Sequence, residues 1–183
     1  MRVAPVLFLA AAVVALAPAR ADDLQAARAA LRKGDSTGAA AAVERYLVEK
    51  PNDAPGRFLK GVILSEQGHA DEAIAVFLAL TQDHPELAEP YNNLAVLYAA
   101  RGEYERARTA LEMAIAANPQ FATAYENLGD VHSQLAIRAY QQATKLDAAN
   151  RSARAKLALA RDLVKPRAER AAAKDTPAAP AEK

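Results

Sequence analysis

The stretch AEPYNNLAVLYAARGEYERARTALEMAIAANP, residues 88–119, decides the fold of this chain. Its apolar side chains recur every three or four residues, as in Leu94, Leu97 and Tyr98. This spacing places apolar residues on one face of an α-helix. Because glycine readily adopts the left-handed conformation that ends a helix, Gly102 predicts a turn in the middle of the stretch. We therefore expect two amphipathic helices here.

This pattern recurs along the chain with a fixed period. Four rows of residues are each spaced by 34 positions, namely Pro51, Pro85 and Pro119; Gly34, Gly68 and Gly102; Ala39, Ala73 and Ala107; and Val43, Phe77 and Leu111. The prolines separate successive helices because proline cannot continue a preceding helix, and the alanines allow antiparallel helices to approach. The period predicts a stack of two-helix units.

The stretch 88–119 resembles the tetratricopeptide repeat. The matching positions are Tyr91, Leu94, Ala95, Tyr98, Gly102, Ala107, Leu111, Ala114 and Pro119. The preceding unit matches at Gly61, Leu64, Gly68, Ala73, Phe77, Leu80 and Pro85, and it departs at Lys60, where the family has leucine. The first unit is weaker, as terminal units commonly are. The resemblance covers about residues 22–148 and implies an all-α fold, a right-handed α-solenoid of helix-turn-helix repeats with a C-terminal capping helix.

The repeats and their flanks predict seven segments. These are a signal peptide, 1–21; a degenerate first repeat, 22–53; a second repeat, 54–87; a third repeat, 88–121; a shortened fourth repeat, 122–148; the capping helix, 149–165; and a tail, 166–183. The tail is rich in alanine, proline and charged residues and has no large apolar residue to bury, so we predict disorder there.

The N-terminus has the pattern of an export signal. Arg2 precedes an apolar run over residues 3–17, and Ala19 and Ala21 form a small-residue cleavage site. The run is shorter than the ~20 residues of a membrane span. We therefore expect cleavage before Asp22 and a periplasmic protein, with an uncleaved N-terminal anchor as the alternative. The chain has no cysteine, which excludes disulfides and lipid attachment at a cleavage-site cysteine.

The fourth repeat lacks five residues. The period places its packing alanine at position 141, but that alanine is Ala136, and the turn glycine is among the missing residues. Two outcomes are open. Either the two helices merge into one of ~37 Å over about residues 123–147, or a tight bend forms at 133–135. A merged helix cannot fold back on itself, so it leaves an apolar stripe that needs cover from the last helix, another subunit or a partner.

The resemblance implies a concave face, lined by the first helices, that takes a peptide or a partner helix. The residues predicted there are Phe58, Val62, Ser65, Asn92, Val96, Ala99, Glu126, Asp130 and Ser133. A possible association stripe in the fourth repeat comprises His132, Leu135 and Ala139. Apolar anchors would supply affinity in this groove, while amide and acidic side chains would set the register of the partner.

Sequence motifs for catalysis or metal binding are absent. His69, His84 and His132 form no ligand pair at helical spacing, and the chain has no phosphate loop or nucleophile motif. The net charge of +1, without a dense basic stripe, gives no nucleic-acid signature. We predict a non-enzymatic scaffold without cofactor or metal that binds a protein or peptide partner in the cell envelope. The alternatives are a self-associating structural protein, a homo-oligomer formed through the fourth repeat, and a chaperone of the secretion or pilus type.

Overall fold

The computed structural model of this protein describes residues 21–164, which form a right-handed α-solenoid and confirm the predicted all-α fold. Within this range there are eight helices and no strand. The helices are α1 (Ala21–Arg32), α2 (Ser36–Glu49), α3 (Ala54–Glu66), α4 (Ala70–Asp83), α5 (Ala88–Ala100), α6 (Tyr104–Ala117), α7 (Ala122–Leu146) and α8 (Arg151–Leu163). The predicted signal peptide, apart from Ala21, and the predicted tail lie outside the described residues.

The turn glycines close the first helix of each of the early units. Gly68 and Gly102 have φ angles of +79° and +72°, a region that costs an L side chain roughly 1–2 kcal/mol. Beyond Gly102, the backbone N–H of Glu103 donates to the carbonyl of Tyr98 over 2.9 Å, which satisfies an acceptor at the end of α5. The period-34 glycine row therefore marks the hairpin turns.

Successive helices pack as a stack of hairpins. Each of α1, α3 and α5 packs against the helix that follows it and also contacts the next first helix, giving the pairs α1–α3, α3–α5 and α5–α7. The first helices therefore lie together on one face of the solenoid, which we call the inner face. Phe77 and Leu111, from the bulky row of the period, are fully buried between the two layers.

Gly61 allows the closest approach within the second unit. A Cβ atom added at Gly61 would lie 2.6 Å from Cε1 of Phe77, so α3 and α4 could not keep their present distance with a larger residue there. The Phe77 ring also contacts the Phe58 ring, with 5.7 Å between centroids. The glycine of the repeat pattern thus makes room for the aromatic core of this unit.

Of the two alternatives for the fourth unit, the structure has the continuous helix. Helix α7 runs unbroken from Ala122 to Leu146, and neither glycine nor proline lies where the turn is missing. The three residues of the predicted association stripe have different environments. His132 and Ala139 are exposed, because no second helix folds back over this side of α7. Leu135 instead packs against the core, so it does not belong to an exposed stripe.

Arg138 attaches the second half of α7 to the third unit. Its guanidinium nitrogen Nη2 donates to the carbonyl of Gly102 over 2.7 Å, and the guanidinium lies 4.4 Å from the centroid of the Tyr104 ring. Helix α8 then packs back against α7, with Nζ of Lys156 6.0 Å from the centroid of the Tyr140 ring. The predicted capping helix is therefore present as α8.

Candidate partner-binding groove

The inner face is joined across α5 and α7 by two asparagines. Nδ2 of Asn127 donates a hydrogen bond of 2.8 Å to Oδ1 of Asn92, and Asn92 is buried. Because a buried amide requires a hydrogen-bond partner, this contact holds the two helices at a defined distance. Asn92 thus supports the groove from within, and its carbonyl oxygen is already engaged.

A cavity of about 260 Å³ lies beside this asparagine pair. Val96 of α5, which is 50% exposed, and Asp130 of α7, whose carboxylate is exposed, both line this cavity. The lining of the cavity also includes Ala99, Tyr104, Asn127 and Gln134. An apolar floor with one charged and two amide side chains is the composition of a site that takes an apolar side chain and fixes its orientation.

A second pocket, of about 410 Å³, lies where α3 and α5 begin. Phe58, Leu87 and Pro90 supply apolar surface, and Glu86 and Glu89 supply carboxylates. Both pockets therefore combine apolar contact area with negative charge. This combination suits a ligand that carries apolar and basic groups.

The structure brings together part of the predicted groove. Val96, Ala99 and Asp130 line the first cavity, and Phe58 lines the second pocket. The other predicted residues have these positions: Asn92 is buried, Val62 is half-buried against the core, Ser65 is half-buried, Glu126 is exposed, and the Ser133 hydroxyl donates to the carbonyl of Gly129 over 2.9 Å. The Ser133 hydroxyl is therefore engaged within its own helix.

Sequence reasoning missed three polar side chains of the first cavity, namely Tyr104, Asn127 and Gln134. Asn127, Asp130 and Gln134 follow one another at helical spacing, so they share one face of α7. Gln134 corresponds to Ala100, the last residue of α5, so it lies within the length of an ordinary first helix. The spacing was visible in the sequence, but the position of α7 relative to α5 and α6, which brings these side chains to the cavity, was not.

The opposite face carries a charged cluster at the start of α6. Nη2 of Arg106 donates to the hydroxyl of Tyr98 over 2.9 Å, and the guanidinium lies 3.9 Å from the centroid of that ring. The hydrogen bond to Glu103 raises the pKa of Arg106 above its ordinary value. The charged Arg106 guanidinium fastens α6 to α5 through its contacts with Tyr98.

Residues 21–164 offer neither a metal cluster nor a membrane-spanning helix. This part of the chain holds no group of three or more histidine, cysteine, aspartate or glutamate side chains arranged to bind a metal ion. None of its helices is long and apolar enough to cross a membrane.

Sequence profiles place the repeats in a known family. The Tetratricopeptide repeat profile matches residues 24–88, and a TPR repeat profile matches residues 97–135. The chain is also similar to the chloroplastic Tetratricopeptide repeat domain-containing protein PYG7 of Arabidopsis thaliana. The two are 32% identical over 88 residues, covering 45% of this chain and 29% of that protein. The chain thus spans less than a third of that relative's length.

Solved structures share the solenoid. A thermophilic TPR protein of Thermus thermophilus superposes with a TM-score of 0.62 at 22% identity, over 84% of this chain and 86% of that one. MamA superposes with a TM-score of 0.57 at 26% identity, over 76% and 79%. YrrB, described as a TPR protein with an unusual peptide-binding site, superposes with a TM-score of 0.54 at 27% identity, over 57% and 54%. With its repeats and its fold in agreement, the chain belongs to the tetratricopeptide-repeat family, whose members are typically non-catalytic scaffolds.

Proposed function

We propose that this protein is a non-catalytic periplasmic adaptor that captures a segment of a protein partner on its inner face. The observation that carries the proposal is the cavity between α5 and α7, where half-exposed Val96 lies beside the Asp130 carboxylate. The peptide-binding site described for YrrB supports a peptide or protein ligand. The signal-peptide pattern of residues 1–21 supports export, and a role in envelope assembly is consistent with that compartment.

The chemistry of the two pockets specifies the ligand. Burying one apolar side chain of the ligand against Val96 and Ala99 contributes about 1.5–3 kcal/mol. Asp130 at the first cavity and Glu86 and Glu89 at the second attract positive charge. The proposed ligand is therefore an extended peptide or amphipathic helix with apolar anchors and neighbouring lysine or arginine residues.

Site-specific crosslinking in cells tests this proposal. A photoreactive amino acid replaces Ala99, which lines the cavity, and the captured protein is identified by mass spectrometry. We expect one dominant partner whose capture is lost in a second variant that also carries Val96→Asp. The matched control is Val48→Asp, because Val48 is an exposed valine on α2, beside Val76 of α4 and among the second helices. Capture that survives Val96→Asp, or that is lost equally in Val48→Asp, would contradict the groove as the site.

Export is tested separately. Cell fractionation is expected to place the protein in the periplasm, and N-terminal sequencing is expected to begin at Asp22. A chain that retains Arg2 and sediments with membranes would indicate the uncleaved anchor instead.

A further inference from the structure

The first half of α7 has a helix-packing face that no helix covers within residues 21–164. In the third unit the packing residues Tyr91 and Tyr98 are buried, Tyr91 being 9% exposed. The residues 34 positions later are Tyr125, which is 50% exposed, and His132, which is also exposed. Between them, a Cβ atom added at Gly129 would meet nothing within 4 Å. The face that normally packs against the second helix is therefore open.

The second half of α7 has the complementary open face. On the second helix of the third unit, Ala107, Ala110 and Ala114 form an alanine row along one side. All three are buried. The counterparts on α7 are Ala136 and Ala143, which are half-buried, and Ala139, which is exposed. Leu146, at the end of the same row, is 79% exposed. Helix α8 packs against α7, and Ala139 and Leu146 of this row remain exposed.

These two faces are built to pack against each other. In the second and third units, a turn folds the second helix back so that its alanine row covers the first helix. In the fourth unit the five turn residues are missing, and both faces lie in line on one straight helix. A straight helix cannot bring its two halves into contact, so another molecule with the same pattern is needed to form this packing as the repeat forms it. A second copy of the chain has the same pattern, because its sequence is the same.

The pairing of unlike halves requires an antiparallel arrangement of the two α7 helices. Tyr125, Gly129 and His132 of the first half and Ala136, Ala139 and Ala143 of the second half lie on one side of α7, at a spacing of three or four residues. When two copies lie antiparallel about a two-fold axis, the first half of each helix is opposite the second half of the other. A parallel pair would instead place the two alanine rows against each other.

We propose that two copies of this protein form a domain-swapped dimer in which the second half of each α7 packs on the first half of the other. Shortened hinge segments favour such an exchange of identical elements. The register follows the second unit, where Gly61 lies against Phe77, so Gly129 of one copy lies against Tyr140 of the other. The two-fold axis passes midway between these two positions, between Gln134 and Leu135.

The dimer leaves the groove accessible. Asn127, Asp130 and Gln134 line the groove cavity, and helical spacing places them on the side of α7 roughly opposite Tyr125 and His132. One helix thus contributes to a partner site on one side and to the dimer on the other. Failure of the dimer would therefore leave the proposed groove function untouched.

Restoring the missing turn tests the proposal. The five residues RGEYE, copied from positions 101–105 of the third unit, are inserted between Gln134 and Leu135. In sedimentation equilibrium at about 100 μM we expect the unmodified protein to have twice the single-chain mass and the insertion variant to have the single-chain mass. Circular dichroism checks that the variant keeps its helicity. The proposal would be overturned if the unmodified protein were monomeric, because residues 165–183 or another protein would then have to cover the open face. It would also be overturned if the insertion variant folded and remained dimeric.

A disulfide provides a test that does not depend on the insertion. The chain has no cysteine, so the double variant His132→Cys with Ala136→Cys introduces two thiols and no others. In the proposed register, position 132 of one copy lies next to position 136 of the other. Under mild oxidation we therefore expect a covalent dimer on a non-reducing gel, with the two Cα atoms within the ~4.4–6.8 Å that a disulfide spans. The matched control is His132→Cys with Gln142→Cys, because Gln142 is exposed on another side of the same helix. Equal crosslinking in the two variants would contradict the proposed pairing.

Discussion

Asn127 of α7 donates a hydrogen bond from Nδ2 to Oδ1 of Asn92 on α5, over 2.8 Å, and so connects first helices of consecutive units. Asn92 is buried, so its amide has little access to water. The pair lies beside the proposed groove cavity, which Asn127 also lines. The geometry of the groove therefore depends on a polar contact between residues 35 positions apart.

Replacing Asn127 by alanine is expected to destabilise the protein by about 1–3 kcal/mol, because Oδ1 of Asn92 remains buried without its donor. The free energy of unfolding, measured by urea denaturation, reports this change. Asn93→Ala is the matched control, since the Asn93 side chain donates to the carbonyl of Glu89 within its own helix. A double-mutant cycle with Asn92→Ala is expected to show coupling of about 0.5–1.5 kcal/mol. Additive losses would show that the pair does not act as a unit.

Two glycines at equivalent repeat positions are expected to respond oppositely to alanine. Gly61→Ala places a methyl group 2.6 Å from a ring atom of buried Phe77, and overpacking of this kind costs about 1–3 kcal/mol. Within a single chain, Gly129→Ala meets no atom within 4 Å and is expected to stabilise helix α7 by about 0.5–1 kcal/mol. Thermal unfolding of both variants at a low protein concentration, where the proposed dimer dissociates, gives the comparison. A stabilising Gly61→Ala would mean that α3 and α4 separate without cost.

Leu111 and Met113 of α6 allow the energetic effect of a core side chain to be compared with that of a surface side chain. Leu111 is fully buried, and Leu111→Ala is expected to cost about 2–5 kcal/mol through lost burial and the cavity left behind. Met113 is about half exposed, and Met113→Ala is expected to change the unfolding free energy by no more than about 0.5 kcal/mol. Both values are measured by chemical denaturation. Similar losses at the two positions would indicate that Met113 is covered in solution.

Arg138 is expected to hold the second half of α7 against the third unit. Arg138→Ala removes a hydrogen bond to the carbonyl of Gly102 and the contact with the Tyr104 ring, and we expect a loss of about 1 kcal/mol. Amide hydrogen exchange in residues 136–146 is expected to accelerate in this variant. Arg138→Lys keeps the charge but loses the planar contact, so it should recover only part of the loss. Lys145→Ala, on an exposed position of the same helix, serves as the control.

Much of the fold could be predicted from local signals. The turn at Gly102 and the burial of Phe77 and Leu111 followed from the period, because each depends on residues within one repeat. The groove was predicted less completely. Val96 and Asp130 do share a cavity, but Asn92 is buried and bonded, and its partner depends on how α5 and α7 lie relative to each other. The 34-residue spacing carries no information on the angle between α5 and α7.

The chain's amino-acid order alone determines the number of units, the positions of the turns and the identity of the core residues, because helix periodicity and turn chemistry act over a few residues. It also determines that both packing faces of the fourth unit are kept while the turn between them is lost. Only the tertiary structure decides that α7 is straight, that Arg138 reaches the carbonyl of Gly102, and that Tyr125 and His132 face outward. A merged helix and a tight bend satisfy the same local preferences, so contacts with α5, α6 and α8 make the difference.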